Sequence, residues 1–245
     1  MAESRVVALN HVGVSVADLD RARAFWVDGL GAEVHGGFSW PVGTAPADES
    51  LATAGTAADV TILRTDAAFL ELFAFSSPAP APRSGDAPGV RGLTWAVPSV
   101  EVTRARLGMP SGPITCPDGT AVSLVAAGDG PCGLVGVRVR VADPAAHPLP
   151  PVPGPVAVVV DGGADGGPAH PVDLGVNHLC LDVADIAGVR ASLAEHVGWH
   201  HDVTESSGGI AAVCYGTTHD GVLVEMLESR SDDAFLARCR LARPH

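Results

Sequence analysis

Asn10-His11-Val12-Gly13-Val14-Ser15-Val16-Ala17-Asp18-Leu19 returns near the C-terminus as Asn177-His178-Leu179-Cys180-Leu181-Asp182-Val183-Ala184-Asp185-Ile186. In both copies apolar residues alternate after the histidine, which is the period of a half-buried strand. Val-Ala-Asp then opens a helical stretch, with Asp18 placed to cap the first helix and Ala22, Phe25 and Trp26 forming an i, i+3, i+4 apolar stripe. Gly29-Leu30-Gly31 ends that helix. A repeat that keeps a histidine at one strand position points to a site built from two equivalent halves.

Working outward, strand-like runs near 32–38, 58–64 and 68–75 complete a β-α-β-β-β order in the first segment. The last segment repeats it: a strand at 175–183, a helix at 186–197, and strands near 199–205, 211–217 and 222–227. The closing strands match as well, Phe69-Leu70-Glu71-Leu72-Phe73 beside Leu223-Val224-Glu225-Met226-Leu227, each with one glutamate in an apolar run. Two weaker copies lie between. In the second module (strand 89–97, helix 100–107, closing run 117–125), Gly92 stands where the histidine should be and Ser123 where the glutamate should be. The third module (133–141, continuing to 155–161) has Gly136 at the histidine position. Proline- and glycine-rich joints at 77–82, 143–155 and 162–171 read as exposed loops.

Composition narrows the chemistry. The 245 residues carry a net charge of -13, which disfavours nucleic acid and anionic membranes as partners. All 15 basic residues are arginine, so Schiff-base chemistry, a pyridoxal phosphate anchor and a lysine-bearing P-loop are excluded. No apolar run is long enough to span a membrane, and Met1-Ala2-Glu3-Ser4-Arg5 lacks the apolar core expected of a signal peptide. The five cysteines (Cys116, Cys132, Cys180, Cys214, Cys239) form no CxxC pair and read as reduced cytoplasmic thiols.

These residues resemble the vicinal oxygen chelate superfamily, which includes glyoxalase I, methylmalonyl-CoA epimerase, extradiol dioxygenases and bleomycin-resistance proteins. The resemblance rests on the first strand and its Phe25-Trp26 helix, on Leu70-Glu71-Leu72-Phe73, and on the copies at His178 and Glu225. It implies an α+β fold in which paired βαβββ modules form U-shaped half-barrels around a divalent metal, here in two domains, 1–128 and 129–245. The implied ligands are His11, Glu71, His178 and Glu225, with Glu71 or Glu225 as catalytic base. Two imidazoles and two carboxylates suit Zn, Ni, Co, Mn or Fe, and a buried strand glutamate needs a neutralising partner. Fused four-module glyoxalases pair module one with four and two with three, which predicts one live site and one without ligands. Extradiol dioxygenases place their ligands in modules three and four, and Gly136 breaks that pattern. The implied activity is that of a metal-dependent lyase, isomerase or epimerase acting on a small oxygenated substrate through a metal-stabilised enolate. The alternatives are an Fe(II) dioxygenase or oxygenase and a non-catalytic drug-binding resistance protein. A four-module chain can complete its site as a monomer, and a homodimer is open.

A lone buried His or Glu is ordinarily a hydrogen-bonded core residue; four at matched positions in two copies favour metal. Around them, Trp40 and Tyr215 are candidate stacking residues, while Trp95 reads as core. Of His200 and His201, one is expected to pack and the other to face solvent, and His35 holds the equivalent place in module one. The stretch 232–243 reads as an outer helix with Phe235, Leu236 and Cys239 as its apolar stripe.

Overall fold

The structure, a computed structural model, describes residues 3–205 and 210–230; the helix expected at 232–243 lies outside the described residues. Module one comprises β1 (Arg5–Ser15), α1 (Leu19–Arg23), β2 (Glu33–Trp40), α2 (Ala45–Ser50), β3 (Ala57–Arg64) and β4 (Phe69–Ser77). Module two follows as β5 (Gly89–Val97), α3 (Val100–Arg106), β6 (Ile114–Thr115) and β7 (Ala121–Ala126). Module three is reduced to β8 (Gly133–Arg140) and β9 (Ala157–Asp161). Module four is β10 (Gly175–Ala184), α4 (Ile186–Ser192), β11 (Val197–Trp199), β12 (Ile210–Thr218) and β13 (Leu223–Ser229). The fold is α+β and built of βαβββ modules, complete at the two ends of the chain and truncated in the middle.

Local chemistry explains the elements. Asp18 accepts a hydrogen bond from the Arg21 amide at 2.9 Å, and Asp185 accepts one from Gly188 at 3.2 Å, so the repeated Val-Ala-Asp caps both helices. Beyond α1 the chain continues as a wider, π-type turn, Ala24–Gly29, that ends at Gly31 with a φ of 80°. Its buried Trp26 packs at a tilt against Trp95 of module two, with ring centroids 5.1 Å apart. The Trp95 indole donates to the Leu30 carbonyl at 3.0 Å. This contact lies in the main core, which joins the two sheets.

The sheets cross the midpoint of the chain. Eight strands run in the order β11-β12-β13-β10-β1-β4-β3-β2, joining modules four and one; five run as β6-β7-β5-β8-β9, joining modules two and three. Their registers are equivalent. In the large sheet His11 faces Cys180 and Gly13 faces His178. In the small sheet Gly92 faces Arg138 and Thr94 faces Gly136, the same offset. The parallel neighbours agree: Gly13 with Glu71 and Cys180 with Glu225 in one sheet, Thr94 with Ser123 and Arg138 with Val159 in the other. Gly92 and Gly136 therefore occupy the histidine positions, and Ser123 and Val159 the glutamate positions, of a sheet that has the geometry but neither imidazole nor carboxylate at those four places.

The helix expected at 186–197 stops at Ser192, and the strand expected at 199–205 is limited to Val197–Trp199 plus a single bridge at Thr204. No element was expected between 39 and 57, yet α2 lies there. Asp48 holds α2 by accepting from the Gly55 and Thr56 amides at 2.7 Å each and from the Thr56 hydroxyl at 2.6 Å.

Candidate metal centre

His11 and His178 sit on adjacent central strands, and β4 and β13 flank them with Glu71 and Glu225. The structure brings all four together. The two Nε2 atoms are 3.2 Å apart. Glu225 Oε2 lies 3.0 Å from His11 Nε2 and 3.3 Å from His178 Nε2, and Glu71 Oε2 lies 3.6 Å from His11 Nε2.

The asparagine of the repeated dipeptide explains the orientation of the rings. Strand alternation would turn Asn10 away from His11. Instead each asparagine is the extra residue of a β-bulge, Asn10 in β1 and Asn177 in β10. A bulge re-aims a side chain, here onto the histidine's own face. Asn10 Oδ1 lies 3.0 Å from His11 Nδ1 and Asn177 Oδ1 lies 2.7 Å from His178 Nδ1. Asn177 is itself oriented, donating its amide to Ser15 Oγ at 2.9 Å. An amide oxygen can only accept, so each Nδ1 carries the hydrogen and each neutral ring turns the lone pair of Nε2 to the centre.

That arrangement tests the fit of a metal. Two imidazole lone pairs and a carboxylate oxygen at these distances repel unless a positive charge lies among them. Glu225 Oε2 is buried without a hydrogen-bond partner, which is costly for a carboxylate. Nitrogen and oxygen donors at ~2.0–2.1 Å from one ion stand roughly 3 Å apart from each other, the spacing seen here. The residues fit a divalent cation. Burial, with Glu225 and Glu71 nearby, raises the Tyr215 phenol well above 10.0, so Tyr215 is a neutral hydroxyl.

Space on both sides of the donors admits a ligand. A cavity of about 380 Å³ is lined by Phe38, Trp40, Leu51, Phe73, His178 and Tyr215, with Glu71 the one charged wall among the described residues. A smaller cavity of about 170 Å³ is lined by His11, His35, Phe69, Glu71 and Glu225. Glu71 borders both. Trp40 and Tyr215 therefore stand at the cavity, whereas Trp95 is buried core. His200 and His201 do not divide as expected. His200 bridges the Ser50 carbonyl at 2.8 Å and Thr217 Oγ1 at 2.9 Å, while His201 Nε2 lies 3.4 Å from Ser50 Oγ. Both fasten α2 of module one to module four, because the chain turns out of strand geometry after Trp199. Sequence reading missed α2 as a cavity wall, the asparagines as tautomer-setting partners, and the thiol of Cys180, which lies within 4.8 Å of a His11 ring nitrogen and a Glu225 oxygen. The doubled Asn beside each His was the available signal for the second of these.

A family model described as Glyoxalase/Bleomycin resistance protein/Dioxygenase superfamily matches residues 8–226. Among solved structures, a Bacillus subtilis protein provisionally named a dioxygenase aligns over 99% of this chain and 92% of its own, with a TM-score of 0.66 at 12% identity. Glyoxalase I from Zea mays aligns over 97% of both chains, with a TM-score of 0.63 at 13% identity. The cppA protein from Streptococcus pneumoniae aligns over 92% of this chain and 100% of its own, with a TM-score of 0.60 at 10% identity. At such identities the likeness is one of fold. No curated protein sequence matches the chain significantly.

Proposed function

The chain belongs to the Glyoxalase/Bleomycin resistance protein/Dioxygenase superfamily, and from that premise we propose that it is a metal-dependent lyase, isomerase or epimerase of a small, neutral, largely apolar oxygenated compound. The observation that carries this reading is the meeting of two oriented imidazoles and two carboxylates at the wall of an apolar cavity. His11, His178, Glu71 and Glu225 are the proposed ligands. A bound divalent ion would supply Lewis-acid stabilisation of negative charge developing on the substrate's oxygens.

The two glutamates differ in setting. Glu225 is buried between both rings, with a side-chain exposure of 8%, whereas Glu71 is exposed at 17% and borders both cavities. Glu225 is therefore the fixed anion of the centre. Glu71 is the base that takes a proton from the carbon next to the carbonyl and returns it. The neutral Tyr215 hydroxyl stands near Glu225 and Glu71 at the cavity wall. Phe38, Trp40 and Phe73 offer ring faces to an apolar substituent. Among the described residues no arginine lines the larger cavity, which argues against an anionic substrate.

Metal analysis of protein purified without chelator should find about one ion per chain. Proton NMR in deuterated buffer, over a panel of aryl-substituted 2-hydroxy- and 2-oxo-carbonyl compounds, should detect exchange at the carbon next to the carbonyl. Glu71→Gln should retain metal and lose exchange. A metal-free protein that still binds aryl ligands would instead make it a sequestering protein. The His11, Glu71 and His178 trio is also a two-histidine, one-carboxylate set, so the same panel should be run with Fe²⁺ and an oxygen electrode; consumption of oxygen would favour an oxygenase.

A further inference from the structure

We propose that Cys180 is a further donor of the centre, so that the site binds a thiophilic ion such as Zn²⁺ or Co²⁺ through a thiolate as well as through imidazole and carboxylate. The proposal rests on the reading of His11, Glu71, His178 and Glu225 as a metal site.

Three observations carry it. Cys180 follows His178 by two residues on β10, and so shares its face of the strand. It is fully buried, and its register partners are His11 on β1 and Glu225 on β13. Its Sγ, a His11 ring nitrogen and a Glu225 oxygen lie within 4.8 Å of one another, a triad that shares His11 with the His11, Glu71 and His178 group. The second observation is Glu225 Oε2, more than nine-tenths buried, aimed into this cluster and without a hydrogen-bond partner.

The third is an asymmetry between the two halves. The position equivalent to Cys180 in module one is Gly13, also two residues past its histidine. A Cβ at Gly13 would meet the His178 ring at 2.2 Å, so that half has no room for a side chain. The half facing His11 accommodates a thiol. The remaining buried thiols differ in setting. Burial pushes Cys214 up to about 11, and neither Cys214 nor Cys116 joins a cluster of donor groups among the described residues. Those two are small apolar residues of the core. At Cys180 a bound cation would offset the burial of a negative sulfur, and the thiol proton would pass to solvent on binding. A soft sulfur donor also ranks the ions, favouring Zn²⁺ and Co²⁺ over Mn²⁺ and Mg²⁺.

The test is the absorption spectrum of the full chain reconstituted with Co²⁺. Wild type should show a thiolate-to-cobalt charge-transfer band in the near ultraviolet beside the visible d–d bands. Cys180→Ser should lose the first and keep the second, while Cys214→Ser keeps both. In unbuffered solution, wild type should also release about one proton more per ion than Cys180→Ser. Visible bands without the charge-transfer band in wild type overturn the proposal and leave the metal centre standing. So does a charge-transfer band that persists in Cys180→Ser. Absence of any Co²⁺ spectrum overturns both. Should Cys180→Ser fail to fold, Cys180→Ala and the wild-type spectrum decide the matter.

Discussion

Gly13→Ala isolates the packing that seats His178. Gly13 has no left-handed backbone, so alanine meets no conformational penalty there. The added methyl would lie 2.2 Å from His178 Cε1, 2.4 Å from its Nδ1 and 2.5 Å from Asn177 Oδ1. Ordinary contact begins at 3.4 Å, so the ring must retreat by about 1 Å. Phe73 and Tyr215 neighbour the ring, with ring centroids 5.9 and 5.8 Å from that of His178, so it cannot move without disturbing them. A ligand tolerates only about 0.2 Å of misplacement, so the retreat removes one imidazole from the set and breaks the Asn177 bond that sets its tautomer. We expect Zn²⁺ affinity to fall at least 100-fold, about 3 kcal/mol, and the metal-free protein to lose about 1–3 kcal/mol from overpacking. Chelator competition measures the first and urea unfolding the second. The double variant Gly13→Ala with His178→Ala provides the control: once the ring is gone, the methyl should cost under about 0.5 kcal/mol. Wild-type Zn²⁺ affinity in Gly13→Ala would refute the reasoning.

Asn10→Ala and Asn177→Ala should each weaken Zn²⁺ about 10- to 100-fold, whereas Asn177→Asp, which still accepts from Nδ1, should bind at least as tightly as wild type; equal affinities in all three would remove the tautomer argument. His147 Nδ1 and Asp220 Oδ2 pair at 2.6 Å, tying the loop after β8 to the β12–β13 turn. Burial raises the Asp220 carboxyl, but the His147 and Thr218 hydrogen bonds and the imidazole charge outweigh it and hold it below its ordinary 3.8. The folded value being depressed, the stabilisation is full above about pH 4 and is lost as pH falls through the lower folded value. Asp220→Asn should therefore cost about 1.5–3 kcal/mol at neutral pH and show a shrinking deficit in acid, measured by urea unfolding across pH. Trp95→Phe removes the donor to the Leu30 carbonyl and should cost about 2 kcal/mol, lowering Tm by roughly 4–8 °C. Zn²⁺ affinity should be unchanged, since Trp95 belongs to the other sheet.

The sequence by itself marked the modules and the four proposed donors. A strand's period of two is local, so alternation after His11 and His178, and the glutamates inside Leu70-Glu71-Leu72 and Val224-Glu225-Met226, place each side chain on a face without knowledge of its partner strand. It marked the middle modules too, through Gly92, Ser123 and Gly136, whose registers match those of the donor-bearing sheet. Tertiary structure alone decided the rest. The bulges that turn Asn10 and Asn177 onto their histidines exist only in the pairing of β1 with β10, strands from opposite ends of the chain. Cys180 is one alternating apolar position in sequence; it becomes a neighbour of His11 and Glu225 because the registers of β1 and β13 bring them beside it. The same holds for α2, which was not expected from the sequence. The Asp48 hydrogen bonds to the loop before β3 and the grip of His200 on Ser50 hold it in place as a cavity wall. Periodicity reports the face a residue takes within its strand; which strand lies beside it, and in which register, is set by burial of the whole sheet.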